Sequence, residues 1–94
     1  MNKDLEIYKT LVSSTYHIEE SDIELVDSEP IFSTYPTDYG IRIFLSDDIL
    51  NEVGKHSFSE GFKLLVLFAV SNDCQYLELD SDGEQYEIFP VYDW

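Results

Sequence analysis

Positive charge is what this chain has least of: five Lys and Arg stand against twenty Asp and Glu, giving a net charge of -15. The bases are Lys3, Lys9, Arg42, Lys55 and Lys63. Between Lys9 and Arg42 lie seven acids and no base, and after Lys63 come seven more with none, so local ion pairing cannot neutralise either stretch. The folded surface therefore carries a strong negative field that salt weakens. Direct binding to nucleic acid phosphates or to an anionic bilayer is disfavoured, and a basic protein surface or a metal is favoured. Cysteine is limited to Cys74, which excludes an internal disulfide. The four glycines and three prolines are scattered, which leaves no phosphate-cradling loop and no linker. The longest apolar run, "LLVLFAV" at 64–70, is too short to cross a bilayer, and "MNKDLEIYKT" lacks the apolar stretch of a secretory signal. A cytoplasmic location is the expectation.

Apolar and aromatic residues, in contrast, are plentiful. The hydrophobic share is 44% and there are fourteen aromatics, enough for a core and too many for a disordered acidic tail. A chain of this length buries about 60–65% of its unfolded surface and has material for one core only. A single domain over residues 1–94 is expected.

Periodicity supplies the elements. In "KDLEIYKTLV", Leu5, Tyr8, Leu11 and Val12 fall at helical spacing and predict a short amphipathic helix, after which "SSTYHI" turns β-like. "EESDIELVDS" predicts a second helix, capped by Ser21 or the acids before it and ended before Pro30. "IFSTYPTDYGIRIFLS" is strand material on both sides of a turn, with Ile41, Ile43 and Leu45 on one face and Arg42 and Phe44 on the other, as in a central strand. "SDDILNEVG" reads as a short helix with Ser46 as N-cap and Gly54 at its end. A wide apolar stripe through Phe62, Leu65, Val66, Ala69 and Val70 predicts a long helix at about 59–72, capped by Ser57 or Ser59 and lying against the sheet. The fold class expected is α+β, with an antiparallel or mixed sheet of three to five strands.

The closing "LELDSDGEQYEIFPVYDW" predicts a hairpin turning at Asp82-Gly83, because "DG" between alternating runs is a strong hairpin signal. Leu79 would then oppose Tyr86 and Leu77 oppose Ile88, while Glu78 would face Glu87 in an unfavourable like-charge pair. A calcium loop starting at Asp80 fails, since Gln85 and Val91 stand where glycine and glutamate are needed. Asp80 and Asp82 beside a turn are too solvated to serve as a catalytic carboxylate pair. Cys74 reads as a packed thiol, His17 as a packing or hydrogen-bonding residue, and His56 as loop decoration; neither histidine has ligand spacing. No enzyme activity, metal or cofactor is expected.

The acids themselves fall into rows. Glu20, Glu24 and Asp27 recur about one helical turn apart, with Glu19 and Asp22 nearby. In the proposed hairpin, Glu78, Asp80 and Asp82 recur every two residues, about 6.6–6.8 Å, with Glu87 across from Glu78. Both rows fall near twice the advance per phosphate of a nucleic acid strand, which is about 3.4 Å. The alternative is a solvated face that only keeps the protein soluble.

The strings "STYHI", "YPTDYG", "SFSEGF", "DCQYLELDSDG" and "FPVYDW" resemble a small acidic domain family of unassigned function carried by bacterial plasmids, phages and mobile elements. The matching positions are His17, Ile18, Tyr39, Gly40, Ser59, Phe62, Cys74, Leu79, Asp80, Asp82, Gly83, Pro90, Tyr92, Asp93 and Trp94. Asp73 departs from an expected glycine and Gly61 from an expected alanine. The resemblance implies an accessory gene context, in which interference with host defence or neutralisation of a toxin is common. The function expected is an acidic inhibitor that blocks a nucleic-acid-binding defence complex, as an anti-CRISPR or antirestriction protein does, by mimicking nucleic acid charge. Its partner-binding residues would be Glu19, Glu20, Asp22, Glu24, Asp27, Glu78, Asp80, Asp82, Glu84 and Glu87. The alternative expectation is an immunity protein or antitoxin bound directly to a basic toxin. An aromatic end at Trp94 would add an interface anchor if exposed.

Overall fold

The segment that alternates around Tyr76 forms the centre of the molecule. In the computed structural model, which describes residues 5–29 and 32–93, eight elements follow in order. They are β1 (Thr10–Ser14), a 3-10 turn (Thr15–His17), α1 (Glu20–Ser28), β2 (Thr34–Thr37), β3 (Gly40–Phe44), α2 (Ile49–Gly54), α3 (Glu60–Ser71) and β4 (Tyr76–Asp80). The strands form one mixed sheet in the order β1-β4-β3-β2, with β1 parallel to β4 and the other pairs antiparallel. The α+β class follows from these elements. No helix among the described residues is long and apolar enough to cross a membrane.

Alternation sorts the sheet into two faces. Leu77 and Leu79 on β4 and Ile41 and Ile43 on β3 point inward and are buried. They share one core with Ile18, Val26, Phe32, Phe58 and the α3 residues Phe62, Leu65, Val66 and Ala69. On the outward face stand Val12, Tyr35, Arg42, Phe44, Tyr76 and Glu78, most of them exposed. Tyr76 meets Tyr8 and Phe44 edge-on at 6.0 and 5.6 Å between ring centroids. The N-cap of α3 is Ser59, whose hydroxyl accepts the Phe62 N–H at 3.2 Å.

Three sequence expectations are corrected. The segment from Thr10 forms a strand instead of an amphipathic helix, because pairing with β4 satisfies its backbone and buries Ser13 and Ser14 at the level of Leu79 and Asp80. Lys3 and Asp4, the start of that proposed helix, lie outside the described residues, as do Pro30, Ile31 and Trp94. Ser46 does not cap α2; Asp48 precedes that helix, and the Ser46 carbonyl accepts the Ile49 N–H at 3.1 Å.

The hairpin is the third correction. The chain turns after Asp80 as "DSDG" predicts, with the Gly83 N–H on the Asp80 carbonyl at 2.9 Å and the Asp82 N–H on Asp80 Oδ1 at 2.7 Å. No second strand follows among the described residues, because both edges of β4 are already occupied by β1 and β3. The pairs Leu79 with Tyr86, Leu77 with Ile88 and Glu78 with Glu87 therefore do not form; Glu78 opposes Arg42 and Val12 instead. Gly83 is needed for a different reason from a hairpin glycine: a Cβ there would sit 2.7 Å from the Ser13 backbone.

Residues 84–93 run as an irregular strap beside β1. Lys9 C=O accepts from β4, so by alternation Val12 and Ser14 present their backbone groups to the outer edge. The strap meets them: Ser14 N–H donates to Glu84 C=O at 2.9 Å and the Tyr86 hydroxyl to Val12 C=O at 2.8 Å. Buried His17 pins the strap from beneath. The Tyr86 N–H donates to Nε2 at 2.7 Å, so the ring proton sits on Nδ1 and goes to Pro90 C=O at 2.8 Å. Two further bonds finish the closure, Tyr92 N–H to Tyr16 C=O at 2.8 Å and Gly61 N–H to the Tyr92 hydroxyl at 3.1 Å.

The opposite edge, β2, has no strand beyond it among the described residues. Phe44 N–H donates to Ser33 C=O at 2.9 Å, which turns Ser33, Tyr35 and Thr37 toward β3 and Thr34 and Pro36 away from it. Proline is tolerated here because its missing N–H would have faced outward.

Candidate functional site

A cleft of about 600 Å³ lies beside this open edge. Ile23 of α1, Ile41 of β3, Pro36 of β2 and Tyr39 of the β2–β3 turn give it a mostly apolar lining, and Thr34 and Ser81 also contribute. Glu20, Glu24 and Asp27 of α1 form its acidic rim. A helix advances 1.5 Å per residue, so the three carboxylates step along the rim by about 6 and about 4.5 Å. All three are exposed, and none has a hydrogen-bond or ion partner among the described residues. Among the described residues no base lines the cleft.

Local physics explains why α1 presents this row. Its start is fixed by Asp22, whose Oδ2 accepts the Glu19 N–H at 2.8 Å in the manner of a capping-box side chain. Val26 is buried and Ile23 and Leu25 are packed against the core, which leaves Glu20, Glu24 and Asp27 on the other side. Negative charge at Glu20 also suits the helix N-terminus.

The remaining predicted acids are dispersed. Asp22 is fully buried: Oδ1 accepts the Ser59 N–H at 2.8 Å and Oδ2 the Ser59 hydroxyl at 2.5 Å. It is a tie between the starts of α1 and α3, and it drops out of the surface set. Glu19 lies with Glu20, Ser21, Tyr92 and Asp93 around a small polar depression. Glu78 is largely covered and receives Arg42 Nη2 at 2.8 Å and Nε at 3.0 Å, so its charge on the outward sheet face is answered. This pair is half in water and contributes about 0.2–1 kcal/mol. Asp80 is half-buried and caps its own turn, while Asp82, Glu84 and Glu87 are exposed on the loop and strap. On the outward face, the negative charge of Glu6 raises the Tyr8 phenol above the ordinary tyrosine range.

The reactive side chains are engaged structurally. Both His17 nitrogens are bonded to backbone, His56 packs against Phe32 and Phe58 with Glu29 at 3.6 Å, and Cys74 is half-buried against the core.

The walls opposite the acid row, Thr34, Pro36 and Tyr39, escaped the sequence reading. Their signal was present in Pro36: a proline inside a strand marks a free edge. Comparison with protein families matches residues 10–94 to the C-terminal domain of DUF5983, a family of unknown function. The chain belongs to the DUF5983 family. The match begins at Thr10, the first residue of β1, so this DUF5983 domain contains every strand and helix described above. No curated protein and no solved structure matches the chain. The expectation of a family without assigned activity is met at that level.

Proposed function

We propose that this DUF5983 domain is an inhibitor carried by a mobile element, which binds a basic surface of a host nucleic-acid-binding defence complex and displaces the nucleic acid. The observation that carries this reading is the row Glu20, Glu24 and Asp27, three exposed carboxylates aligned along a cleft, with no ion partner and no lining base among the described residues. Asp82, Glu84 and Glu87 add a second negative surface on the loop and strap. In this reading α3 lies across the inward sheet face as scaffold, and the acids on α1 and the strap do the recognising. Opposed fields steer association and suppress contact with acidic partners, so binding weakens as salt rises.

The same chemistry serves an immunity protein that caps a basic toxin. The two partners separate by identity in one experiment. The chain is immobilised, exposed to host lysate at low salt, and washed with duplex DNA or with RNA. The inhibitor reading predicts a nucleic-acid-binding defence protein that these polymers displace. Retention of a basic nuclease toxin whose activity the chain blocks would favour the immunity role. A catch of general chaperones alone, indifferent to nucleic acid, would overturn both.

A further inference from the structure

The acid-rimmed cleft runs beside a strand edge that has no neighbouring strand among the described residues, and the two features together specify more than a negative surface. Along β2 the groups turned outward are the Thr34 N–H and the Thr34 and Pro36 carbonyls, because Pro36 has no N–H to offer. The edge is therefore richer in acceptors than donors. An incoming segment that supplies backbone N–H groups and cationic side chains meets both the edge and the rim.

Spacing supports an extended segment. Side chains on one face of a strand recur at about 6.6–6.8 Å. The step from Glu20 to Glu24 along α1 is about 6 Å. Alternate residues of a strand laid in the cleft can thus each reach a carboxylate. A second basic helix would project its cations from one face at similar intervals, but it leaves the β2 carbonyls unpaired.

The lining selects among cations. Ile23, Pro36 and Ile41 offer apolar surface to the stem of a long side chain, and the ring of Tyr39, 61% exposed, stands at the wall. A guanidinium stacks on a tyrosine ring and pairs with carboxylates in a planar fork, which an ammonium cannot do. A purely apolar guest would leave three carboxylates beside it without partners. A second copy of this chain, with net charge -15, would bring repulsion to the same place.

We propose that the cleft seats an extended, arginine-bearing segment of the partner protein, laid along the open edge of β2 with its guanidinium groups against Glu20, Glu24 and Asp27. This rests on the reading of a basic protein partner and names how that partner is held. Strand addition at an edge gives affinity through the main chain, and side chains in the neighbouring cleft give selectivity.

The probe is a synthetic decapeptide of alternating arginine and valine, titrated into the ¹⁵N-labelled chain at low salt and followed by amide shifts. Shifts are expected at Ile23, Thr34, Tyr39 and Gly40. The double variant Glu24→Lys/Asp27→Lys, at exposed positions that leave the fold intact by circular dichroism, is expected to weaken binding about tenfold or more. The control Glu84→Lys/Glu87→Lys is expected to weaken it about threefold or less, through the general field alone. A peptide N-methylated at alternate residues, unable to donate to the edge, is expected to lose about tenfold. Shifts confined to residues 82–87, or equal losses in the two double variants, would overturn the cleft assignment while leaving a basic partner in place. Full affinity of the N-methylated peptide would overturn the edge pairing. Failure of the lysate capture with the peptide result intact would instead remove the proposed function.

Discussion

The carboxylate of Asp22 binds Ser59 twice, through its backbone N–H at 2.8 Å and its hydroxyl at 2.5 Å, and so fastens the start of α1 to the start of α3. That tie sets where α1 lies, and α1 carries the acid row of the cleft. Asp22→Ala removes a helix cap and leaves part-buried donors on Glu19 and Ser59 unmatched. The expected cost is about 2–4 kcal/mol, measured by urea unfolding. A loss under about 0.5 kcal/mol would show that the tie is replaceable by water.

Gly61 is required by contact. A Cβ at this position would lie 1.9 Å from the His17 carbonyl oxygen. Gly61→Ala, although it restores the residue that the family resemblance leads one to expect, should destabilise the chain by about 1–3 kcal/mol in the same assay. A neutral substitution would mean that the turn at His17 moves freely away from α3.

Asp73 is the one non-glycine residue with positive φ among the described residues, at 60°. It stands where the resemblance expects glycine, and the conformation explains that expectation. Relief of left-handed strain outweighs the added freedom of the unfolded chain, so Asp73→Gly should stabilise by up to about 1 kcal/mol. Asp73→Val, with a branched Cβ in the same conformation, should lower the urea midpoint.

The strap depends on His17. His17→Ala leaves the Tyr86 N–H and the Pro90 carbonyl without their buried partner. Amide exchange at Tyr86 and Tyr92 is expected to rise about tenfold or more relative to Leu65 in the middle of α3, which marks local release and not global unfolding. Uniform acceleration across all three would contradict an independently held strap.

Much of this architecture is legible in the sequence where local signals act alone. The α1 row, the alternation of Ile41, Arg42, Ile43 and Phe44, and the Ser59 cap all follow from short-range rules. Long-range pairing is what those rules miss. Thr10 finds Tyr76 across the whole chain, and that pairing overrides a helical spacing whose apolar members Leu5, Ile7 and Tyr8 end up exposed. The same pairing removes the edge on which a C-terminal hairpin would have grown. Of the ten acids expected to meet a partner, Asp22 turned inward because a helix start and a distant serine both lacked an acceptor. Glu78 found Arg42 across the ladder. Neither fate has a local signature. The cleft emerged only when the β2 edge and α1 stood side by side.

The account is tested most directly by running the low-salt lysate capture twice, with the natural chain and with Glu20→Lys/Glu24→Lys/Asp27→Lys. The prediction is a nucleic-acid-binding protein held by the natural chain, displaced by duplex DNA or RNA, and absent from the variant. The same proteins on both columns, undisturbed by nucleic acid, would contradict it.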